Sequence, residues 1–225
     1  MSSAVFRVRH IVPFGYNSND AVLEERIVYY APIRRGQSIF TVRDRVVITE
    51  LHDRIANIRV VNVERRFPNR IFINYVQRFE YFHISYGGRY FITDETFHTL
   101  RYSAGRPHLI EIRLSSNLSA EPEVGQPLVV LAEDIAIAAE LMRATRNFNH
   151  DPIRLFRYID FSGNNAVILQ TRAGVSFRFV GNAGFTAMLR TALSAYENNL
   201  RPHEQESGTV TVFESDPNRA VWSEN

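Results

Sequence analysis

LVVLAEDIAIAAELMRATR, residues 128–146, is apolar or small at most positions up to Glu140, where a carboxylate enters; the guanidinium of Arg143 follows three residues on. On a helix, three residues amount to about 300° of rotation at ~3.6 residues per turn, so the two side chains project side by side. The preceding turns are too apolar on most sides for a surface helix, and PLVVLAEDIAIAAELMRATRNF (127–148) is expected to run through the interior as a long central helix. Burying an ion pair there costs several kcal/mol of desolvation, and apolar replacements are often no less stable, so stability explains the pair poorly. The plain alternative is an ordinary surface pair, which contributes only a few tenths of a kcal/mol.

Working outward from that helix, the N-terminal part reads as β-rich. AVFRVRHIV (4–12) alternates and predicts a strand, and Asn19 or Asp20 caps a helix over 19–36. RVVITEL (45–51), NIRVVNVE (57–64), RIFINYVQRF (70–79), EYFHISY (80–86) and RYFITD (89–94) predict further strands, with Gly87-Gly88 turning a hairpin. DETFHTLRYSAG (94–105) reads as a short helix closed by Gly105, and HLIEIRL (108–114) as an extended piece. Beyond the central helix, IRLFRYI, NNAVILQT (164–171) and GVSFRFV (174–180) predict extended segments before a final helix over 184–200. With no repeat and no linker, one α+β domain over 1–200 is expected, then a polar tail over 201–225 with one strand, TVTVF.

Composition narrows the classes of function. With 225 residues, 45% hydrophobic and 22% charged, the chain is expected to be globular and soluble, and no apolar run reaches the ~20 residues of a membrane span. Residues 1–16 lack the charged head, apolar stretch and cleavage site of a secretory signal, so either none exists or the chain starts after it. Cysteine is absent, which excludes a thiolate nucleophile, a cysteine-held metal and a disulfide-linked second chain. All 26 basic residues are arginine, the side chain that grips phosphate bidentately and stacks on bases. The formal net charge of only +2 means that any affinity for nucleic acid must come from a local patch.

Phosphate-binding glycine loops, dinucleotide fingerprints, zinc-peptidase motifs and serine-hydrolase elbows are all missing from the sequence. The seven histidines never recur at three- or four-residue spacing, so no metal site is expected. Glu204 and Glu206 are faintly similar to the paired glutamates of ADP-ribosyltransferases, although a solvated polar tail is the better account of them.

In order and spacing, EYFHISYGGRYF (80–91), FHTLRYSAG (97–105) and AAELMR (138–143) resemble blocks of the ribosome-inactivating proteins, the rRNA N-glycosylases of the ricin A chain and Shiga toxin A chain type. The likeness spans residues 4 to 200; DFSGNNAVI (160–168) is only loosely similar, and the lack of lysine fits a family in which lysine-poor chains are common. The resemblance implies a single domain with an N-terminal mixed β-sheet region followed by a mainly helical region around the long central helix. It implies a toxin without cofactor or metal that hydrolyses one adenine from the sarcin-ricin loop of large-subunit rRNA. The ribosome and its stalk protein would be the partners, and the chain would be secreted and act in the target-cell cytosol.

Cleaving an N-glycosidic bond builds positive character on the sugar and negative charge on the leaving base, so a carboxylate and a cation suffice. By the resemblance, Glu140 would face the sugar and Arg143 the adenine. The flipped base would lie between Tyr81, with Tyr86 as rival, and Phe97, which stands where the family has a second tyrosine. Phe185, or alternatively Ala173, stands nearest the family tryptophan behind the catalytic helix. Arg78, Arg89, Arg101, Arg106 and Arg146, with Arg113 and Arg154, are candidates for holding rRNA phosphates. Two other readings are open: a catalytically weak RNA- or protein-binding relative of the same fold, and an ADP-ribosyltransferase-like toxin using Glu204 and Glu206.

Overall fold

The computed structural model describes residues 4–163, 165–201 and 203–224, so Asn164 and Pro202, in the expected strand and tail, lie outside the described residues. The chain forms two compact units, one of residues 1–79, 99–101 and 123–126, the other of residues 80–98, 102–122 and 127–225.

In the first unit β1 (His10–Gly15) runs parallel to β3 (Arg70–Gln77), which pairs antiparallel with β2 (Ile58–Arg66). Crossing between parallel strands needs a long connection, here α1 (Ala21–Tyr30) and α2 (Asp44–Arg54). Asp20 starts α1 as expected, its carboxylate accepting from the Val22 and Leu23 N–H groups at 3.0 and 3.1 Å. Leu23 and Ile27 of α1 join Val47 and Leu51 of α2, Ile71, Ile73 and Tyr75 of β3 in one core. The strand expected over 45–51 is thus a helix. Val47 and Leu51 recur at the helical spacing and are buried, whereas Val46 beside them is exposed.

The second unit carries β4 (Phe82–Tyr86), β5 (Arg89–Thr93), β7 (Ile110–Arg113), α3 (Ala132–Asn147), α4 (Pro152–Leu155) and β8 (Phe156–Asp160). β9 (Ala166–Thr171), β10 (Ser176–Val180), α5 (Phe185–Asn198), β11 (Thr209–Phe213) and β12 (Asp216–Ser223) complete it. Within this unit the large sheet has the order β12-β11-β10-β9-β8-β7-β4-β5, and β6 (Thr99–Ser103) has residues in both units. Gly87 and Gly88, at φ +56° and +78°, supply the left-handed pair that the β4–β5 hairpin turn needs.

This sheet overturns the expected fold class. Strand accounts for 34% of the structure and helix for 28%, so the mainly helical C-terminal region and the ribosome-inactivating-protein-like architecture are not what the chain forms. After α3, five of the seven further elements are strands, because FRYID, AVILQT, SFRFV and TVTVF alternate buried and accessible positions and so pair instead of coiling. The expected short helix over 94–105 is instead a turn followed by a strand. Asp94 Oδ1 accepts from the Thr96 and His98 N–H groups at 2.8 and 2.9 Å, making a tight turn, and the chain then extends into β6 with Thr99 and Leu100 buried. The segment 201–225 is not only a tail: β11 lies parallel to β10, and β12 pairs antiparallel with β11.

Period-two alternation divides the sheet into two faces. Ile112, Ile159, Leu169, Phe177 and Val210 are register partners across β7 to β11 and all are buried. Their face packs on α5, through Phe185, Met188, Leu189 and Ala192, and on α3, through Ala138, Leu141 and Met142. The flanking positions on the same strands form the other face, which carries the chemistry.

Candidate nucleic-acid interface

The central helix corrects one expectation directly. Arg143 is exposed, Glu140 is only half-buried, and among the described residues no ion pair joins them. Positions 136, 139, 143 and 146 are exposed, so this stripe faces away from the core, which α3 reaches through Ala138, Leu141, Met142 and Thr145. Glu140 is instead turned toward the start of α5. One carboxylate oxygen, Oε1, accepts from both the backbone N–H and the hydroxyl of Thr186, each at 2.8 Å. This satisfies an N–H that the first helical turn leaves without a partner and sets negative charge at the positive end of α5.

Tyr81, just ahead of β4, is half-buried and stands edge-on to Phe82 at 5.0 Å. Arg146 lies with its guanidinium carbon 5.6 Å from the Tyr81 ring centre, donates to the phenol oxygen at 3.5 Å and pairs with Glu95 at 2.9 Å. Burial pushes the Tyr81 phenol up to about 12, with Arg146 opposing and Glu95 and Asp151 adding to the rise. Phe97 is elsewhere in character. It is completely buried, sits at φ +61° and packs on Phe82 at 5.1 Å, so its ring belongs to the core. Phe185 opens α5 and is buried against Phe179, and Ala173 lies exposed in the turn after β9. Tyr86 ends β4, half-buried near Phe91.

The expected phosphate contacts scatter. Arg78 donates to the Ile58 carbonyl in the first unit, Arg101 is exposed on β6, and Arg89 pairs with Glu121 at 3.3 Å. Arg154 pairs with Asp151, and Arg106 with Glu111. Glu204 accepts from the Arg201 N–H at 2.7 Å and so serves the turn it stands in, while Glu206 is exposed.

A more coherent grouping lies on the sheet face opposite α3 and α5. His83, Glu111, Tyr158, Gln170, Ser176 and Thr209 are successive register partners across β4, β7, β8, β9, β10 and β11. Three of them are also hydrogen-bonded to one another: the Tyr158 hydroxyl donates to Gln170 Oε1 at 2.8 Å and the Ser176 hydroxyl to the same oxygen at 3.2 Å. Arg113 lies 3.8 Å over the Tyr158 ring, donates to Glu111 at 3.1 Å and reaches Asp160 at 3.7 Å. Glu111 and Asp160 hold the guanidinium charged and in place. Arg178, two residues along β10 from Ser176, adds an exposed cation to the same face. The sequence signal for this row is the second phase of the strand alternation, the polar positions of FRYID, AVILQT and SFRFV, which attention to their apolar phase passes over.

Among the described residues no group of three histidines and carboxylates gathers to hold a metal ion, and no helix is long and apolar enough to cross a membrane. Without cysteine, no second chain can be held by a disulfide. Neither protein-family models nor the curated proteins contain a match to this chain.

Proposed function

We propose that this protein binds RNA through the polar face of its large sheet. The observation that carries the reading is the aligned row Glu111–Tyr158–Gln170–Ser176 with Arg113 stacked on Tyr158 and Arg178 beside it. A sheet that offers a flat aromatic, a stacked guanidinium and amide and hydroxyl groups at strand spacing suits unstacked bases, whose faces stack and whose edges accept and donate. The hydroxyl and amide groups also suit the ribose 2′-OH, which favours RNA over DNA. Because the net charge is only +2, affinity should be modest and set by few phosphate contacts.

Fluorescence anisotropy of a labelled single-stranded RNA tests this. With Arg178 as the phosphate contact, Arg113 being paired with Glu111 and Asp160, the log–log salt slope should be about −0.7, from ~0.7 per contact on a single strand. Arg178→Gln should remove that slope, and Tyr158→Leu should weaken binding about tenfold or more, the scale of ~1–3 kcal/mol for one base stack. Binding that is absent at low salt, or indifferent to both substitutions, would refute the reading.

A second reading, hydrolysis of an rRNA adenine, has one separate observation in its favour. The Glu140 carboxylate is held in a fixed orientation by Thr186 while Arg143, one turn on, is exposed and carries no ion-pair partner among the described residues. A fixed anion beside an available cation is what an oxocarbenium-like transition state and a departing base require. Free adenine released from intact ribosomes, and lost with Glu140→Gln, would support it. No adenine from eukaryotic or bacterial ribosomes would remove it and leave RNA binding standing.

A further inference from the structure

Apart from the polar row, the second unit contains a cavity of about 260 Å³ walled by Arg106, Pro107, His108, Leu109, Arg157 and Arg172. Its arginines come from three places in the chain: the loop before β7, the start of β8 and the turn after β9. We infer that this cavity is a binding site for a phosphate monoester, the 5′-terminal phosphate of an RNA strand.

The first support is how Arg157 is presented. Phe156 pairs with Thr171 and Tyr158 with Gln170, so Arg157 is the extra residue of a bulge in β8. A bulge frees a side chain from the strict alternation of the strand and re-aims it, which is why bulges recur beside functional sites. Arg172 is held by other means. Its Nε donates to the Ile153 carbonyl at 2.7 Å and its Nη2 to the Leu109 carbonyl at 3.4 Å, which fixes the plane of the guanidinium at the cavity wall.

The second support is the charge balance. Arg106 pairs with Glu111, a carboxylate it shares with Arg113, whereas Arg157 and Arg172 have none within ion-pair distance among the described residues. Two guanidinium charges therefore stand uncompensated at one cavity, and Arg172 is held below the ordinary arginine range by burial first and by Arg157 and Arg106 next. Like charges brought together on a fold repel unless an anion joins them. A monoester carries about −1.5 to −2 at neutral pH and presents three acceptor oxygens, which matches the unengaged fork of Arg157 and the N–H groups that Arg172 has left; a diester, with a single charge, leaves one guanidinium charge unmatched. His108, exposed at the rim, adds a further donor.

The assignment to an RNA end rests on the RNA reading of the sheet face, since Tyr158 follows Arg157 in β8. The full chain is titrated with inorganic phosphate at constant ionic strength, and with one oligoribonucleotide bearing either a 5′-phosphate or a 5′-hydroxyl. The 5′-phosphate strand should bind at least tenfold tighter, and Arg157→Gln should erase that advantage. Arg157 is exposed and makes no bond that the fold relies on, so this variant is expected to fold. Arg178→Gln should weaken both strands alike and preserve the ratio. Equal affinity for the two strands, or an advantage that survives Arg157→Gln, overturns the site and leaves RNA binding on the sheet untouched. Phosphate binding that is lost with Arg157→Gln while neither RNA binds upholds the site for a small phosphate monoester and overturns the RNA reading.

Discussion

His83 is 1% exposed, and neither ring nitrogen has a hydrogen-bond partner among the described residues. Its surroundings are the Tyr90 ring at 5.5 Å, its register partners Ile92 and Glu111, and the guanidinium groups of Arg106 and Arg172. Burial, the larger cause, and the two arginines lower its pKa from 6.5 to about 4, with Glu111 opposing. The folded state therefore binds the His83 proton less readily than the unfolded state. Its contribution to stability is full above about pH 6.5, is lost as pH falls toward about 4, and levels off below. At ~1.36 kcal/mol per pH unit, the gap between 6.5 and about 4 amounts to about 3 kcal/mol. His83→Leu removes the titration and also the unpaired ring N–H, whose burial costs ~1–3 kcal/mol. Urea unfolding of both proteins from pH 7.5 to 4 isolates the effect, because the carboxylates that titrate in both cancel in the difference. At pH 7.5 the variant should be at least as stable as the wild type, and its advantage should widen by about 3 kcal/mol by pH 4. Parallel curves, or a variant weaker by several kcal/mol at pH 7.5, would show that the ring has partners and that the reasoning is wrong.

The remaining predictions concern the central helix and two tyrosines. Glu140→Gln should lower stability by ~1–2 kcal/mol through its bonds to Thr186, a loss shared by Thr186→Val and not additive with it in thermal unfolding of the double variant. Arg143→Met should change stability by less than ~0.5 kcal/mol, since the side chain is exposed; a loss of ~3–5 kcal/mol would restore the buried pair. Tyr75→Phe should leave stability unchanged or raise it by ~1 kcal/mol, because the Tyr75 hydroxyl is buried without a partner among the described residues, and a clear loss in urea unfolding would reveal one. In a spectrophotometric titration, the difference between wild type and Tyr81→Phe should show a phenol ionising only near pH 12.

Local signals in the sequence were most informative where one interaction dominates. Asp20 at the head of α1 and the Gly87-Gly88 turn follow from capping and turn chemistry that needs no distant partner, whereas α3 starts at Ala132 and not at the expected Pro127, and neither Leu131 before α3 nor Gly184 before α5 offers a side-chain cap. Residues 45–51 misled because their β-branched content matches strand propensity, while burial of Val47 and Leu51 against the first unit's core decides for helix. The Glu140–Arg143 spacing was legible, but the partner of Glu140 was not: Thr186 is 46 residues away and only the packing of α5 on α3 brings it near. The Arg106–Arg157–Arg172 cavity was hidden for the same reason. Its arginines are dispersed along the chain, and a bulge, which no spacing rule announces, presents one of them.

The register shift between Val212 and Phe213 has a consequence for how the molecule behaves in a crowd. An edge strand presents unpaired backbone groups that another chain can copy, the usual start of edge-to-edge aggregation. Opposite the shift, β12 carries Asp216, Pro217 and Arg219, so its outer rim is locally out of register, lacks one N–H and bears both signs of charge. β12 can settle on β11, but a further strand from a neighbouring molecule meets a broken ladder. Straightening it, by deleting residues 217–219 and the proline with them, would turn the rim into a template for self-association.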